Sequence, residues 1–331
     1  MRWLPALGQS SPASPNAAEY LYVVAAIKDL TGVLPALISP LHADGSVDED
    51  GVERLVEHVI AGGVTGLLAL GSTGETASLD EAARRTLLTR VVAVAGGRVP
   101  VICGVAQSHL AAARVEVEAA ARLGADAALV TPPFYYLMDQ ATVLAFYREL
   151  AKGSPLPILL YNIPQLTKVV AEPATVAALA SEGTIAGIKD SSRDFEYFEG
   201  VCIATRGLPH FRLFTGSDSM LLPSLVMGAS GTICGTANVA PQWVVQVFDA
   251  FMRGDLVEAR AGQDSVHQLV LALRAGIFPA AYKAACHVLG LCEPWCAPPV
   301  PALNDQSKAD LRDRMEAWGL LSQTAPKAAR N

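Results

Sequence analysis

The chain has 331 residues, of which 51% are hydrophobic and 17% are charged, so it can bury a large core. Its formal net charge is −7 and it contains no cluster of Lys and Arg, which argues against a nucleic-acid partner. No apolar run approaches the ~20 uncharged residues that a membrane helix requires. We therefore expect a cytoplasmic protein that acts on small molecules and binds neither nucleic acid nor a membrane.

The beginning of the chain differs from the rest. Met1 to Ala18 is rich in Ser, Pro and Ala, and it lacks the basic start, long apolar centre and small-residue cleavage site of a signal peptide. We predict that residues 1–31 form an N-terminal extension, partly disordered, that lies outside the catalytic domain.

From Gly32 onward, short apolar runs alternate with amphipathic stretches of helical period. The predicted strands are Val33–Ile38, Gly66–Leu70, Pro100–Gly104, Ala127–Thr131, Pro157–Tyr161, Ile185–Lys189, Arg212–Thr215 and Gly231–Cys234. Eight parallel strands with crossover helices favour a closed (β/α)8 TIM barrel, because closure leaves no strand edge unpaired. An open doubly wound sheet fits less well, since a glycine-rich turn should follow its first strand, where this chain has Ser39-Pro40-Leu41-His42.

The first helix illustrates how the helices are predicted. Ser46-Val47-Asp48-Glu49 has the form of a capping box, in which a serine and a glutamate satisfy free amides at a helix start. Apolar residues then recur at helical spacing, and Gly62-Gly63 marks the end. Beyond Ala240, helices follow one another without further strands. We predict a catalytic barrel over residues 32–240 and a C-terminal helical appendix over residues 241–331, packed on the barrel.

Lys189 is the strongest candidate for chemistry, because the active site of such a barrel lies at the carboxyl ends of its strands. It ends the apolar run Ile185-Ala186-Gly187-Ile188, while the other six lysines lie in polar, helical or terminal contexts. Burial disfavours the charged form of a lysine, and a neutral amine can attack a ketone to form an imine. The alternative is a lysine that reaches out to a salt bridge, for example with Asp190.

Tyr161 ends the neighbouring strand and can supply a proton carrier beside that amine. Ser72 or Thr73, after the second strand, can relay the proton. The run Gly71-Ser72-Thr73-Gly74 can also present backbone amides to a carboxylate or a phosphate. For Tyr161, the alternative is a rim aromatic residue that packs against Pro164. For residues 71–74, the alternative is a simple turn.

Neither a metal nor another cofactor is predicted. The six cysteines form no CxxC pair, and no histidine stands at zinc-like spacing from them. Cys103 and Cys234 lie in apolar strand-like runs, where small buried thiols are common.

These motifs, in this order, resemble the dihydrodipicolinate synthase / N-acetylneuraminate lyase family. The resemblance extends from Gly32 to Leu303, and it is carried by Gly71-Ser72-Thr73-Gly74-Glu75, Val130-Thr131-Pro132-Pro133-Phe134-Tyr135-Tyr136, Tyr161-Asn162-Ile163-Pro164, Gly187-Ile188-Lys189-Asp190, Thr215-Gly216-Ser217-Asp218, Gly228-Ala229-Ser230-Gly231 and Ala237-Asn238-Val239. It implies a metal-independent class I aldolase that works through a pyruvate imine. It also implies a homo-oligomer, a tetramer built from tight dimers.

By position, the resemblance implies that Lys189 forms the imine, that Tyr161 is the acid/base, and that Tyr135 is a relay tyrosine reaching into a neighbouring subunit's site. The residues that would hold the pyruvate carboxylate are Ser72, Thr73 and Gly74, with Ser72 also relaying protons. The candidate contacts for the rest of the substrate are Asp218, Ser219 and Thr236.

Two positions narrow the choice within the family. Leu166 stands where dihydrodipicolinate synthases carry an arginine for a substrate carboxylate, and leucine offers no fork for that anion. Ser219 follows Asp218 where sialic acid lyases typically carry glutamate. We therefore predict an aldolase that cleaves or forms a 2-keto-3-deoxy acid from pyruvate and an aldehyde. The alternatives are a sugar-acid dehydratase on the same imine, a true dihydrodipicolinate synthase, and a ligand-binding paralogue without catalysis.

Overall fold

The computed structural model describes residues 30–321. The N-terminal extension predicted over residues 1–31 therefore lies almost wholly outside the described residues, as do residues 322–331 of the predicted appendix. No helix between residues 30 and 321 is long and apolar enough to cross a membrane.

Within residues 30–321, eight parallel strands form one sheet. They are β1 (Gly32–Pro35), β2 (Leu67–Ala69), β3 (Val101–Val105), β4 (Ala127–Val130), β5 (Ile158–Asn162), β6 (Gly187–Asp190), β7 (Arg212–Thr215) and β8 (Gly231–Cys234), and they pair in the order β1-β8-β7-β6-β5-β4-β3-β2. A parallel bridge from Ala36 to Leu68 joins the two ends of the sheet. The predicted (β/α)8 barrel is confirmed, and each predicted strand overlaps an observed one, with ends that differ by a few residues.

Helices connect the strands and continue beyond them. They are α1 (Glu49–Ala61), α2 (Glu81–Ala95), α3 (Leu110–Arg122), α4 (Gln140–Ala151), α5 (Pro164–Thr167), α6 (Pro173–Ser181), α7 (Phe195–Thr205), α8 (Leu221–Met227), α9 (Pro241–Met252), α10 (Leu256–Ala272), α11 (Ala280–Val288) and α12 (Asp305–Ala317), with 3-10 turns at Thr76–Ser78, Asp218–Met220 and Thr236–Asn238. Helix α9 packs against both β1 and α10. The domain boundary between residues 240 and 241 stays a prediction.

The start of α1 differs from the predicted capping box. The cap is Asp48, whose carboxylate accepts a hydrogen bond from the Gly51 N–H at 2.8 Å. Ser46 instead donates its hydroxyl to Asp44 at 2.6 Å. The prediction was wrong because Ser46 lies in the turn before the helix, too early to reach its free amides.

The core has two layers because successive strand residues point to opposite faces of the sheet. One apolar cluster fills the barrel interior and includes Leu34, Leu68, Ile102, Leu129, Leu159, Phe214 and Ile233. A larger cluster packs between the sheet and the surrounding helices. Tyr161 belongs to the interior cluster, so its ring stands on a packed apolar base at the carboxyl end of β5.

Candidate active site

Lys189 and Tyr161 form one pair of residues on adjacent strands. They are register partners in the ladder between β5 and β6, so their side chains project to the same face of the sheet. The Lys189 Nζ lies 4.4 Å from the centroid of the Tyr161 ring. Both side chains are buried, with exposed fractions of 3% for Lys189 and 5% for Tyr161.

Asp190 does not neutralise Lys189, because it occupies the next position and faces the other side of the strand. Its carboxylate accepts hydrogen bonds from the Asn162 side-chain amide at 2.8 Å and from the Ser192 hydroxyl at 2.9 Å. Burial raises the pKa of this carboxyl against the lowering effect of these bonds. Lys189 forms no ion pair with any carboxylate of residues 30–321. The salt bridge considered as an alternative is therefore not formed.

The Tyr161 phenol faces the loop that follows β2. Its oxygen lies 3.5 Å from the Ser72 Oγ. Burial acts to raise the pKa of the phenol, but the positive charge of Lys189 and hydrogen bonds from neighbouring side chains, including Ser72, act in the opposite direction. The net result is a Tyr161 pKa below its ordinary value. An amine, a phenol and a hydroxyl thus meet in one buried place.

The loop itself can bind an anion through its backbone. The N–H groups of Ser72, Thr73 and Gly74 donate to no acceptor within residues 30–321, although Thr73 and Gly74 are buried. Successive free amides of this kind attract carboxylates and phosphates. The residues on either side, Leu70 and Glu75, have φ values of 58° and 57°, a left-handed conformation that non-glycine residues adopt at a cost of about 1–2 kcal/mol.

A buried ion pair fixes this strained loop. The Glu75 carboxylate lies 2.7 Å from the Lys283 Nζ of α11, and the two side chains are 3% and 0% exposed. Glu75 also accepts a hydrogen bond from the Ala297 N–H at 2.7 Å. Lys283 donates in turn to the carbonyls of Ser39 and Trp295. The loop is therefore attached to the C-terminal helical region through charge as well as hydrogen bonds.

Lys283 was placed among the six lysines in polar, helical or terminal contexts, but it is wholly buried. Its helical context suggested an exposed residue, but the helix is Ala280-Ala281-Tyr282-Lys283-Ala284-Ala285 and Lys283 is among its buried residues. A single charge in an alanine-rich helix was the signal that could have indicated this. Neither Lys283 nor the role of Glu75 was predicted.

Gly216 leaves the space that Lys189 occupies. A Cβ at Gly216 would lie 2.9 Å from the Lys189 Cε and 2.0 Å from the Ser191 Oγ, closer than real Cβ contacts allow. The Gly216 N–H donates to the Asp190 carbonyl at 2.6 Å, so the backbone cannot move away without losing a ladder bond. The absence of a side chain at Gly216 is a requirement of the Lys189 conformation.

The three residues predicted to contact the rest of the substrate lie near the carboxyl ends of β7 and β8. Thr236 is 0% exposed, and its hydroxyl and N–H both donate to the Asp218 carboxylate. Ser219 is partly exposed and its hydroxyl lies 3.2 Å from the His267 Nδ1. Asp218 and Ser219 line a cavity and can contact a substrate there. Thr236 does not line this cavity, but it orients the Asp218 carboxylate through its two hydrogen bonds.

Two other predicted positions lie at the surface. Tyr135 is 83% exposed, with a φ of 83°, and forms an edge contact with Tyr136. Its hydroxyl forms no hydrogen bond within residues 30–321, so the structure does not bring it to Lys189. Leu166 is 59% exposed on the short helix α5.

The thiols and acidic groups of residues 30–321 form no metal-binding cluster. Among residues 30–321, no three His, Cys, Asp or Glu side chains lie close enough together to hold a metal ion. Burial raises the pKa of Cys103 to about 12 and that of Cys296 to about 11, so thiolates are disfavoured at both.

Comparison with known proteins shows which family the chain belongs to. The model of the dihydrodipicolinate synthetase family matches residues 29–318. An uncharacterized DapA-like lyase of Halobacterium salinarum is 36% identical over 292 residues, which are 88% of this chain and 95% of the relative. A 4-hydroxy-tetrahydrodipicolinate synthase of Phenylobacterium zucineum is 36% identical over 292 residues, which are 88% of this chain and 98% of the relative.

The same similarity holds for a solved structure. YagE of E. coli K12, a prophage protein of the dihydrodipicolinic acid synthase family solved in complex with pyruvate, superposes with a TM-score of 0.85 and 29% identity. The match covers 88% of this chain and 99% of that one.

Proposed function

Because the chain belongs to the dihydrodipicolinate synthetase family and is a class I lyase, we propose that it cleaves or forms a 2-keto-3-deoxy acid through a pyruvate imine on Lys189. The observation that carries this proposal is the buried pair of Lys189 and Tyr161, with Nζ 4.4 Å from the ring centroid and no ion pair between the amine and a carboxylate of residues 30–321. The free amides of the Ser72 loop supply a site for the carboxylate of the keto acid.

Imine formation begins when the neutral Lys189 amine attacks the C2 carbonyl carbon. The carbonyl oxygen leaves as water after two proton transfers, for which Tyr161 and Ser72 form a chain of hydroxyls. The substrate carboxylate lies against the N–H groups of Ser72, Thr73 and Gly74 during these steps. The protonated imine then draws electrons toward its nitrogen.

Cleavage breaks the bond between C3 and C4 of the bound acid. Tyr161 as phenolate accepts the proton of the C4 hydroxyl, the C4 oxygen becomes an aldehyde carbonyl, and the bonding electrons pass through C3 and C2 to the imine nitrogen as an enamine. Protonation of C3 and hydrolysis of the imine release pyruvate and restore the Lys189 amine. The lowered pKa of Tyr161 favours the phenolate that this step needs.

A second candidate is dihydrodipicolinate synthase activity, in which the same enamine condenses with aspartate semialdehyde. It is favoured by the 36% identity to a relative of that name. Leu166 argues against it, because the side chain offers no hydrogen bond to the aldehyde's carboxylate. A coupled assay with pyruvate and aspartate semialdehyde separates the two candidates.

Borohydride reduction tests the imine directly. Pyruvate plus borohydride should add one reduced pyruvyl group to Lys189, located by peptide mass mapping, and Lys189→Met should take up none. Lys152→Met, which removes an exposed lysine, is the matched control. A folded protein that forms no adduct contradicts the proposal.

A panel of 2-keto-3-deoxy acids, with pyruvate release as the readout, then tests the reaction. Release of pyruvate supports aldol cleavage. Loss of water without pyruvate indicates that the dehydratase alternative is correct instead.

A cytoplasmic homotetramer, in which Tyr135 completes a neighbouring subunit's site, is also part of the proposal. The 83% exposure of Tyr135 supports it, because a buried tyrosine could not reach another subunit. Sedimentation of the full chain measures the assembly. Tyr135→Phe should lower kcat and leave the assembly intact.

A further inference from the structure

A small cavity lies beside Lys189, where the loops after β6 and β7 meet α10 and the residues around α11. Its volume is about 190 Å³, comparable to about six water molecules. Gly216 forms part of its wall, and the same residue packs against the Lys189 Cε. The cavity is therefore separated from the Lys189 side chain by Gly216, a residue without a side chain, and its volume is large enough for the far end of a short substrate.

Two guanidinium groups line this cavity, Arg193 from the loop after β6 and Arg274 after α10. Both are exposed, and neither is ion-paired with a carboxylate of residues 30–321. The acidic residue of the lining is Asp218, whose Oδ1 accepts the Thr236 N–H at 2.9 Å. Positive charge is thus in excess here, and the described carboxylates do not neutralise it.

Tyr282 is another residue of the lining. Burial raises the pKa of this phenol, and the negative charge of Asp218 adds to the effect. The charges of Arg193 and Arg274 act on it in the opposite direction. Because both guanidinium groups line the cavity, they can stabilise a negative charge bound within it.

The backbone holds Arg193 in a defined position. Its φ is 64°, a left-handed value that L residues other than Asn and Asp seldom adopt. The loop is fixed on both sides: the Ser192 hydroxyl donates to Asp190 at 2.9 Å, and the Asp194 carboxylate caps α7 by accepting the Tyr197 N–H at 3.1 Å. Such strain is retained where a fixed side-chain direction serves a site.

We propose that this cavity binds a second anionic group, a carboxylate or a phosphate, at the far end of the 2-oxo acid, with Arg193 and Arg274 as its ligands. The inference rests on the proposed imine chemistry at Lys189. It assigns the substrate class as a dianion and places its second charge near β6 and β7.

The test uses 4-hydroxy-2-oxo acids of equal chain length that end in a hydroxymethyl group, a carboxylate or a phosphate ester. The unchanged enzyme should cleave at least one of the two dianions with a kcat/KM about tenfold or more above that of the hydroxymethyl compound. Arg193→Gln and Arg274→Gln should each reduce this ratio about tenfold. The matched control is Arg206→Gln, which removes an exposed arginine at the far end of α7 and should leave the ratio unchanged.

The outcomes separate the inference from the proposed function. If pyruvate and borohydride label Lys189 but the hydroxymethyl compound is the better substrate, or if both arginine variants keep the ratio, the dianion site is wrong. If Lys189 is not labelled, the proposed function itself has failed. Which dianion is preferred identifies the anion as carboxylate or phosphate, and a dianion KM that rises with salt in the unchanged enzyme gives independent support.

Discussion

Among residues 30–321, two lysines are buried at the same end of the barrel, and their surroundings are opposite in character. Lys283 is wholly buried and lies 2.7 Å from the Glu75 carboxylate, with two backbone carbonyls as further acceptors. Lys189 is 3% exposed and faces an aromatic ring, with no ion pair to a carboxylate within residues 30–321. One lysine is therefore surrounded by acceptors for its charge, and the other is buried beside an aromatic ring without a carboxylate partner.

The difference indicates that Lys283 has a structural role and that Lys189 has a chemical one. A buried cation that has a carboxylate and several acceptors contributes to a fixed geometry, and here it holds the loop of free amides after β2. A buried amine without a counter-ion is costly to the fold and is useful only if it reacts. Replacing each lysine with methionine, which has a similar length and no charge, should therefore have opposite consequences.

Lys189→Met should have the largest effect on activity and the smallest on the fold. We expect pyruvate release to fall by at least about 10⁴-fold, because no other amine can form the imine. The midpoint of thermal unfolding should stay the same or rise, since an apolar side chain replaces an uncompensated buried amine. If Lys189→Met is active, or is as unstable as Lys283→Met, the two lysines do not have the separate roles argued above.

Tyr161→Phe should separate imine formation from bond cleavage. The pyruvyl adduct on Lys189 should still form, while kcat for cleavage falls by about 10²–10⁴-fold because the proton acceptor is missing. Tyr147→Phe is the control, since Tyr147 is also fully buried, belongs to the cluster between the sheet and the helices, and donates its hydroxyl to the Val130 carbonyl at 2.8 Å. That variant should lose some stability and keep its kcat. Equal losses of kcat in both variants would indicate a general effect of removing a buried hydroxyl.

Lys283→Met should destabilise the fold by about 3–5 kcal/mol in urea unfolding, because Glu75 is then left as a buried charge without a partner. Its control is Lys308→Met, which removes the exposed pair with Asp305 and should change the free energy of unfolding by less than about 1 kcal/mol. Adding Glu75→Leu to Lys283→Met should recover part of the loss. If the double variant is no more stable than Lys283→Met, the ion pair is not the cause.

The fold and the reacting pair could be predicted from sequence because both depend on local patterns. Apolar runs alternating with helical stretches predicted eight strands, and a lysine closing one of those runs predicted a buried amine. The partner of Lys283 could not be predicted, since Glu75 and Lys283 lie 208 positions apart and only the packing of α11 on the barrel joins them. The position of Arg274 beside Arg193 has the same origin, because it depends on how α10 ends against the loops after β6 and β7.

The smallest predicted effect concerns the pKa of Tyr161, which the positive charge of Lys189 lowers. After imine formation the protonated nitrogen carries a positive charge at the same place, so the effect persists in the bound state. Since the phenolate is the active form in cleavage, kcat should rise with pH and level off above an apparent pKa below the ordinary tyrosine value of about 10.

Ser72→Ala removes one hydrogen bond that lowers the pKa of Tyr161, so the rising limb of the pH profile should shift to higher pH. Ser78→Ala is the control, because Ser78 lies at an exposed position of the following turn, and this variant should not move the limb. A limb that shifts to lower pH in Ser72→Ala, or that persists in Tyr161→Phe, would mean that a group other than Tyr161 takes the proton.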